Sequence, residues 1–386
     1  ICEMPDDVAL KIVQNSTNYF VERSSLPDNK FTSFNPATWQ EGNKKLIWDG
    51  PIGFANGYGK ASMAYMEALT NKVDLRIVNS KWRTLDGKFL SKKVIEIMEK
   101  QLGDLDCYYI QFFPVHLFKG RITERNIGYS MHECNLIPKS WVDICNNTCE
   151  RILVPSQHQK RAFLDSGVKR DVKVMPLGLD LNIFPETEPR EDAEGWIFGI
   201  MGGLSYRKGT DVLIKAFQKA FIKKDKVGLY IKTVGMLGAD WLNPARKDPR
   251  IAINNEFYTP EELVEDFFKQ IDVFAFPTRA EGFGLPPLEA MSLSRPVICT
   301  NYSGCEDFMD PDYSMPLKYK LEPASLETNM GYPEMLRAEG QVWAEPDLDD
   351  LVDKMKWTYT HQKEARAMGR KAAKIIRKEY DINNVA

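Results

Sequence analysis

An apolar strand, a glycine loop and a helix follow one another in the third quarter of the chain, and this order restricts the fold most. The run Val273–Phe276 is entirely apolar and predicts a buried strand of a parallel sheet. Pro286 and Pro287 predict the start of a helix, where a missing N–H group costs little. Between strand and helix, Gly282 and Gly284 let the backbone approach a ligand closely. The chain is therefore expected to form an α/β fold with parallel strands.

The same loop has the chemistry of a site for phosphate and hydroxyl groups. The N-terminus of the helix offers free N–H groups and a partial positive charge, which favour a phosphate. The backbone N–H groups of Phe283, Gly284 and Leu285 are the candidates for helping Glu281 to orient the hydroxyl groups of a ligand. Glu281 precedes them and Glu289 lies inside the helix, and a carboxylate accepts two or more hydrogen bonds from sugar or ribose hydroxyls. A phosphate site beside paired hydroxyl acceptors indicates a nucleotide sugar as the ligand.

Two alternating series of strands and helices predict two domains, which a length of 386 residues also favours. Strands of the first series are predicted at residues 45–49, 73–78, 107–112, 126–130, 151–155 and 172–176. Strands of the second series are predicted at residues 196–201, 227–233, 250–254, 273–277, 297–300 and 341–344. We predict an N-terminal extension over residues 1–44, a first domain over 45–185, a second domain over 195–360 and a closing helix over 361–386.

The composition argues against several classes of function. The net charge is −3 and the pI is about 6.0, which gives no general drive toward nucleic acid or an anionic membrane. No membrane span is predicted, because no apolar stretch approaches about eighteen residues, and the first residues do not resemble a signal peptide. Seven scattered cysteines without paired Cys-x-x-Cys motifs indicate reduced thiols and a cytoplasmic location instead of a zinc site.

Glu281 and Glu289, separated by the seven residues Gly-Phe-Gly-Leu-Pro-Pro-Leu, resemble the donor-site motif of the retaining GT-B glycosyltransferases of family 4 (glycosyl transferases group 1). The resemblance implies two Rossmann-like, doubly wound domains that face each other across a cleft, with the closing helix crossing back to the first domain. It implies a hexosyltransferase-like enzyme that moves a sugar from a UDP- or GDP-sugar to an acceptor hydroxyl with retention of the anomeric configuration. In such an enzyme Glu281 orients sugar hydroxyls and Glu289 holds ribose hydroxyls.

A second loop, over residues 202–209, joins a predicted strand to a predicted helix and carries two adjacent cations. The rigid guanidinium of Arg207 and the compact ammonium of Lys208 can together neutralise a diphosphate leaving group. In the family a cation pair at this loop has that role, and Lys208 with Gly209 matches its Lys-Gly pair. The family commonly has arginine where this chain has Gly203, so Arg207 resembles an alternative Arg-Lys arrangement. A solvated loop pair without a ligand is the plain alternative.

His132 and Glu133 follow a predicted strand of the first domain, at its carboxyl end. The family often has His followed by Asp here, and its His contacts a hydroxyl of the donor sugar near the reacting carbon. The resemblance therefore assigns His132 to the catalytic set, with Glu281, Arg207 and Lys208. From the residues alone, a buried histidine hydrogen-bonded to a backbone carbonyl is the alternative.

Four further residues are assigned to donor binding by the resemblance. Gly57 and Gly59 belong to a glycine loop of the first domain that borders the donor phosphate and the acceptor in the family. Tyr258 starts a turn near the family's nucleobase position, and Glu306 ends a glycine-containing turn close to its donor. A nicotinamide cofactor site is the alternative for the glycine loop. It is disfavoured because the Gly-x-Gly-x-x-Gly match is partial and the next strand ends without an acidic residue.

Neither a metal nor a cofactor is predicted. Asp-x-Asp segments occur at residues 104–106, 310–312 and 347–349, but none follows a strand in the way that a metal–diphosphate site requires. Cations and helix dipoles are expected to replace the metal. The rivals are a phosphorylase with a lysine-bound pyridoxal cofactor, a non-catalytic GT-B protein that binds nucleotide sugars, a nucleic-acid-binding protein, and a transferase acting on a modified nucleic-acid base.

The acceptor is the point at which the sequence stops being informative. Its pocket is expected in the first domain, whose loops carry no legible code. A glycan, a lipid-linked sugar, a small molecule and a modified nucleic acid all stay open as acceptors. Peripheral contact with a membrane and the oligomeric state stay open as well.

Overall fold

The computed structural model describes residues 44–53, 57–78, 91–100, 105–190, 195–233, 242–324 and 338–386. The predicted N-terminal extension, residues 1–44, lies outside this part of the chain except for its last residue. The described residues divide into two compact units. One unit contains the residues up to Ser130, together with residues 147–152 and Ala386. The other contains residues 131–146 and 153–385.

The first sheet has six strands, as predicted. They are β1 (Lys45–Asp49), β2 (Asp74–Val78), β3 (Tyr108–Phe112), β4 (Arg125–Tyr129), β5 (Arg151–Val154) and β6 (Asp171–Val174). Their order is β2-β1-β3-β4-β5-β6, and the pairs β1–β2, β1–β3 and β3–β4 are parallel. The helices of this half are α1 (Gly57–Leu69), α2 (Lys92–Glu99), α3 (Lys139–Thr148) and α4 (Gln157–Asp165).

Aromatic side chains fill the core of the first unit. Trp48 on β1 is fully buried, stacks on Tyr65 of α1 with ring centroids 5.3 Å apart, and lies 5.4 Å from the ring of Phe112 on β3. The indole N–H of Trp48 donates to the hydroxyl of Ser62 at 2.7 Å, so the buried polar group is satisfied. These contacts explain why an apolar strand and the following helix pack as one unit.

The second sheet also has six strands. They are β7 (Trp196–Met201), β8 (Val227–Lys232), β9 (Ile251–Asn254), β10 (Val273–Phe276), β11 (Val297–Thr300) and β12 (Met315–Leu317). All neighbours are parallel, in the order β12-β11-β10-β7-β8-β9. Its helices are α5 (Thr210–Ala220), α6 (Asn243–Arg246), α7 (Pro260–Glu262, continued by the π turn Leu263–Phe267), α8 (Leu285–Ser292), α9 (Leu348–Thr360), α10 (Gln362–Glu379) and α11 (Ile382–Val385).

The prediction that the last strand of the second series belongs to the parallel sheet was wrong. The segment predicted at residues 341–344 is β14 (Val342–Pro346), which pairs antiparallel with β13 (Tyr319–Pro323) in a separate two-stranded sheet. The parallel sheet ends instead with β12, which the sequence did not indicate. A strand of three residues that contains Pro316 is too short for a periodic pattern.

Two element boundaries also differ from the prediction. Helix α1 begins at Gly57, so Gly57 and Gly59 lie in the first turn of a helix and not in a loop. A Cβ at Gly59 would lie 2.2 Å from the main-chain oxygen of Gly53, which explains the glycine there. The closing helix predicted over residues 361–386 is two helices, α10 and α11, and α10 meets α9 at His361.

Two parallel sheets flanked by helices confirm the predicted fold class, a pair of Rossmann-like domains. The predicted domain bounds, 45–185, 195–360 and 361–386, and the crossing of the closing helix stay predictions. Within the described residues, no helix is long and apolar enough to span a lipid bilayer.

Candidate donor-binding site

The loop between β10 and α8 has a geometry that requires glycine. Gly284 has a φ of 101°, in the left-handed region, and a Cβ there would lie 2.5 Å from the sulfur of Cys305. Helix α8 then begins at Leu285, with Pro286 and Pro287 in its first turn, as predicted. The N-terminus of α8 therefore lies at the carboxyl end of a buried parallel strand, where doubly wound folds bind phosphates.

The loop after β7 is held against the loop after β10 by main-chain contacts. A short 3₁₀ turn over Tyr206–Lys208 ends at Gly209, whose φ is 69°. A Cβ on Gly209 would lie 1.7 Å from the main-chain oxygen of Pro277, so only glycine permits this approach. The N–H group of Arg279 donates to the main-chain oxygen of Arg207 at 2.7 Å. These contacts bring the predicted cation loop to the predicted carboxylate loop.

Glu281 lies at the centre of these loops and is only 6% exposed. Its Oε1 accepts hydrogen bonds from Lys208 Nζ at 2.7 Å and from Arg207 Nη1 at 3.0 Å. The hydroxyl of Thr278 donates to the same oxygen at 3.0 Å, and Lys208 Nζ lies 2.9 Å from Oε2. Burial alone would raise the pKa of Glu281, but the charges and hydrogen bonds of Lys208 and Arg207 lower it below the usual range. The carboxylate is therefore ionised at neutral pH.

The two cations are paired inside the protein but still reach its surface. The side chain of Arg207 is 20% exposed and that of Lys208 is 14% exposed. Burial lowers the pKa of Lys208, although the charge of Glu281 opposes this effect. Arg207 also donates to the main-chain oxygen of Ala280 at 2.5 Å. The structure thus brings together three of the four residues predicted as catalytic. Glu281 lies between the cations Arg207 and Lys208 in one ion cluster.

The fourth predicted catalytic residue, His132, is fully buried. Its Nε2 lies 2.9 Å from the amide nitrogen of Gln341, and its ring packs edge-on against Trp141 with centroids 5.4 Å apart. An amide nitrogen donates, so Nε2 is the acceptor of a neutral ring. Burial lowers the pKa of His132 to about 4, although the charge of the neighbouring Glu133 opposes this. A contact between His132 and a donor sugar stays a prediction.

Glu133 connects this region to the cation loop. Its Oε1 lies 3.6 Å from Arg207 Nη2, whereas Glu281 accepts from Arg207 Nη1. Arg207 is therefore paired with two carboxylates. The sequence indicated Glu133 only as the neighbour of His132 and not as a partner of Arg207.

The remaining donor-binding candidates lie in different surroundings. Glu289 on α8 is fully buried. The hydroxyl of Tyr258 accepts a hydrogen bond from the amide of Asn254 at 3.0 Å, and Lys232 Nζ lies 4.2 Å from the centre of its ring. Gly282 packs so closely on Met131 that a Cβ would lie 2.8 Å from that side chain. Their contacts with a donor stay predictions, as do those of Phe283 and Leu285.

Glu306 pairs with cations outside the central cluster. Its carboxylate accepts from Arg161 at 2.8 and 2.9 Å, and lies 3.7 Å from the ring of His158. Its turn nevertheless touches the site, because the N–H of Gly304 donates to the main-chain oxygen of Glu281 at 3.0 Å. Gly57 and Gly59, in the first turn of α1, belong to the other compact unit.

The sequence analysis missed Arg279 and its partners. Arg279 is 1% exposed, and its guanidinium pairs with both oxygens of Asp211 on α5 and both oxygens of Glu345 on β14. No local pattern reveals such a residue, because its partners are far away along the chain. The buried strand before Arg279 and the polar loop after it would have suited an exposed arginine equally well.

Comparison with known proteins finds a family match over the part of the chain that contains Arg207, Lys208 and Glu281. Residues 196–320 match the family model described as Glycosyl transferases group 1. The capsular polysaccharide biosynthesis glycosyltransferase CapM of Staphylococcus aureus is 27% identical over 176 residues, which are 40% of this chain and 44% of that protein. The D-inositol 3-phosphate glycosyltransferase of Arthrobacter sp. (strain FB24) is 24% identical over 199 residues, 45% of this chain and 47% of that protein. The chain thus spans about half the length of these two relatives.

The solved structure of HepE from Anabaena in complex with UDP and glucose has a TM-score of 0.60 to this chain at 13% identity, and covers 89% of this chain and 97% of that one. The fold of the chain is therefore GT-B. Residues 196–320 are thus similar to the glycosyl transferases group 1, and both relatives are glycosyltransferases by name.

Proposed function

We propose that the chain transfers a sugar from a UDP- or GDP-sugar to an acceptor hydroxyl, with retention of the anomeric configuration and without a metal. The observation that carries the proposal is the cluster of Arg207, Lys208 and Glu281 at the ends of two adjacent parallel strands, β7 and β10. Two cations beside an ionised carboxylate suit a ligand with a diphosphate at one end and hydroxyl groups at the other.

In the proposed reaction the bond between the anomeric carbon and the diphosphate oxygen breaks, and a bond from the acceptor oxygen forms on the same face. The acceptor hydroxyl gives its proton to the leaving phosphate oxygen. Arg207 and Lys208 stabilise the negative charge that grows on the diphosphate, and their fixed positions avoid reorganisation during the step. The N-terminus of α8 adds backbone N–H groups and the helix dipole.

Glu281 orients hydroxyl groups of the transferred sugar. Because its carboxylate already accepts from Lys208 and Arg207, it is ionised and held in one position before the donor binds. Pre-positioned groups of this kind lower the entropic cost of reaching the reactive geometry. In the same proposal Glu289 holds ribose hydroxyls, Tyr258 lies near the nucleobase, and His132 contacts a hydroxyl of the donor sugar.

Transfer is preferred to mere binding of a nucleotide sugar because Arg207 is paired with two carboxylates, Glu281 and Glu133. A protein that only binds the diphosphate of its ligand gains nothing from a carboxylate that weakens its attraction for the phosphates. Such a carboxylate is useful where the sugar must be oriented and the charged product must leave. The proposal includes a cytoplasmic location. It does not name the acceptor.

The proposal is tested by incubating the protein with UDP- and GDP-sugars in excess chelator and following the anomeric proton of the product by NMR. The expected result is release of nucleoside diphosphate together with a product of unchanged anomeric configuration. Lys208→Met is expected to abolish the release. The matched control is Lys219→Met, because Lys219 is an exposed lysine of α5 that pairs with Asp349. An inverted product, or turnover only with added metal, would overturn the mechanism proposed.

A further inference from the structure

Arg279 has every donor of its guanidinium occupied inside the protein. Its Nη1 and Nη2 donate to the two oxygens of Asp211 at 2.9 and 3.1 Å. Its Nε and Nη2 donate to the two oxygens of Glu345 at 2.5 and 2.9 Å. The fifth donor reaches the main-chain oxygen of Tyr206, whose ring lies 3.4 Å from the guanidinium carbon. An arginine has five N–H donors, so none is left for a ligand.

The same residue is bonded to the cation loop through its main chain. Its N–H donates to the main-chain oxygen of Arg207 at 2.7 Å. Its side chain holds the main-chain oxygen of the residue before, Tyr206. Arg279 therefore bonds to two consecutive carbonyl groups of the cation loop, and it is itself two positions before Glu281 in the chain.

We propose that Arg279, bridging Asp211 and Glu345, is a positioning residue that sets where Arg207 and Lys208 meet the diphosphate of the donor. This inference rests on the function proposed above. Arg279 is 1% exposed and pairs with two carboxylates, so it adds no net positive charge to the site. Its contribution is geometric: it ties the loop after β7, helix α5 and strand β14 to the loop that carries Glu281.

Lysine cannot replace this arrangement. An ammonium group has three donors and no planar fork, so it cannot pair with both oxygens of two carboxylates and with a carbonyl group at once. With Arg279→Lys the carbonyl of Tyr206 loses its bond from the guanidinium and keeps the bond from the N–H of Gly209, so the cation loop is held less firmly and can shift. A shift of the loop weakens contacts to the outer phosphate while leaving the nucleoside contacts in place.

The experiment compares dissociation constants for a nucleoside diphosphate and its monophosphate, UDP with UMP and GDP with GMP, measured by calorimetry. The dissociation constant of the monophosphate divided by that of the diphosphate isolates the contribution of the outer phosphate. In Arg279→Lys we expect this ratio to fall about tenfold, equivalent to one lost charge-assisted hydrogen bond, with monophosphate affinity unchanged. The matched control is Arg295→Lys, because Arg295 is also 1% exposed but its guanidinium, among the residues that the structure describes, donates only to main-chain oxygens of Phe268 and Glu188. The control is expected to lose thermal stability and keep the ratio.

If Arg279→Lys has a lower melting temperature but the same ratio of dissociation constants as the wild type, the inference is overturned and Arg279 has a structural role only. If Arg279→Lys does not fold, Glu345→Gln removes one of the two paired carboxylates at a site that is 28% exposed, and a smaller fall of the ratio is expected. An unchanged ratio in Glu345→Gln would then overturn the inference. A wild-type protein that binds diphosphate and monophosphate equally would instead refute the proposed function, and the inference with it.

Discussion

Replacing Glu281 by glutamine separates the two tasks that the proposal gives to this residue, holding the cations and orienting the sugar. The substitution keeps the size of the side chain but removes its charge. The amide oxygen can accept from one cation, whereas the amide nitrogen faces the other as a second donor. Because Arg207 and Lys208 both donate to this group, the variant leaves Lys208 beside a neutral side chain and leaves Arg207 with Glu133 as its carboxylate partner.

The expected magnitudes follow from these contacts. A hydrogen bond to a charged group contributes about 1.5–3 kcal/mol, so losing the oriented sugar hydroxyl lowers turnover roughly 10- to 150-fold. Leaving two partly buried cations beside a neutral side chain lowers the free energy of unfolding by at most about 3–5 kcal/mol, because both side chains reach the surface and Arg207 keeps Glu133. The affinity for nucleoside diphosphate is expected to stay equal or rise, because the cations no longer share their charge with Glu281.

The assay measures turnover of the donor, calorimetric affinity for the nucleoside diphosphate, and thermal unfolding of the same samples. The control is Asp272→Asn, a carboxylate that is 4% exposed at the opposite end of β10 and accepts from the N–H of Ile197 at 2.8 Å. This control is expected to lose stability and keep turnover. Turnover of Glu281→Gln within threefold of wild type would refute the role assigned to Glu281. A fall in diphosphate affinity that matches the fall in turnover would refute the separation of tasks.

Three further substitutions have distinct expected results. Lys208→Met is expected to weaken binding of nucleoside diphosphate about 10- to 100-fold in calorimetry, whereas Lys219→Met leaves it unchanged; equal affinities would contradict the phosphate role. In the folded protein His132 stays neutral until the pH falls to about 4, whereas in the unfolded chain it takes up a proton near pH 6.5. Lowering the pH from 6.5 to 4 therefore reduces the free energy of unfolding by up to about 3 kcal/mol, as measured in denaturant titrations. His132→Gln is expected to flatten that pH dependence, and an identical slope would show that another group causes it. Gly284→Ala is expected to lose about 1–3 kcal/mol in thermal unfolding because of its φ of 101°, whereas Gly203→Ala, with open space at its Cβ, changes little.

The donor-site loop was predictable because its signals are local. The apolar strand β10, the paired Pro286 and Pro287 and the left-handed Gly284 each depend on their immediate neighbours. The structure confirms the strand, the loop and the helix within one or two residues of the predicted bounds. The approach of Arg207 and Lys208 to Glu281 was also predictable, because the carboxyl ends of adjacent parallel strands meet at one edge of a sheet.

Other features depend on contacts that no local pattern records. Gly57 and Gly59 were predicted in a loop because glycine disfavours helices, yet they begin α1 against the backbone of Gly53. The burial of His132 depends on Gln341, and the role of Arg279 depends on partners in α5 and β14. In each case the deciding partner is supplied by tertiary packing.

Binding of UDP and GDP to the full chain in excess chelator, followed by thermal unfolding, addresses the donor site itself. A ligand that binds only the folded state raises the melting temperature in proportion to its affinity. We expect a clear shift with one of the two nucleotides, and its loss in Lys208→Met. No shift with either nucleotide in wild type would contradict a working donor site formed by Arg207, Lys208 and Glu281.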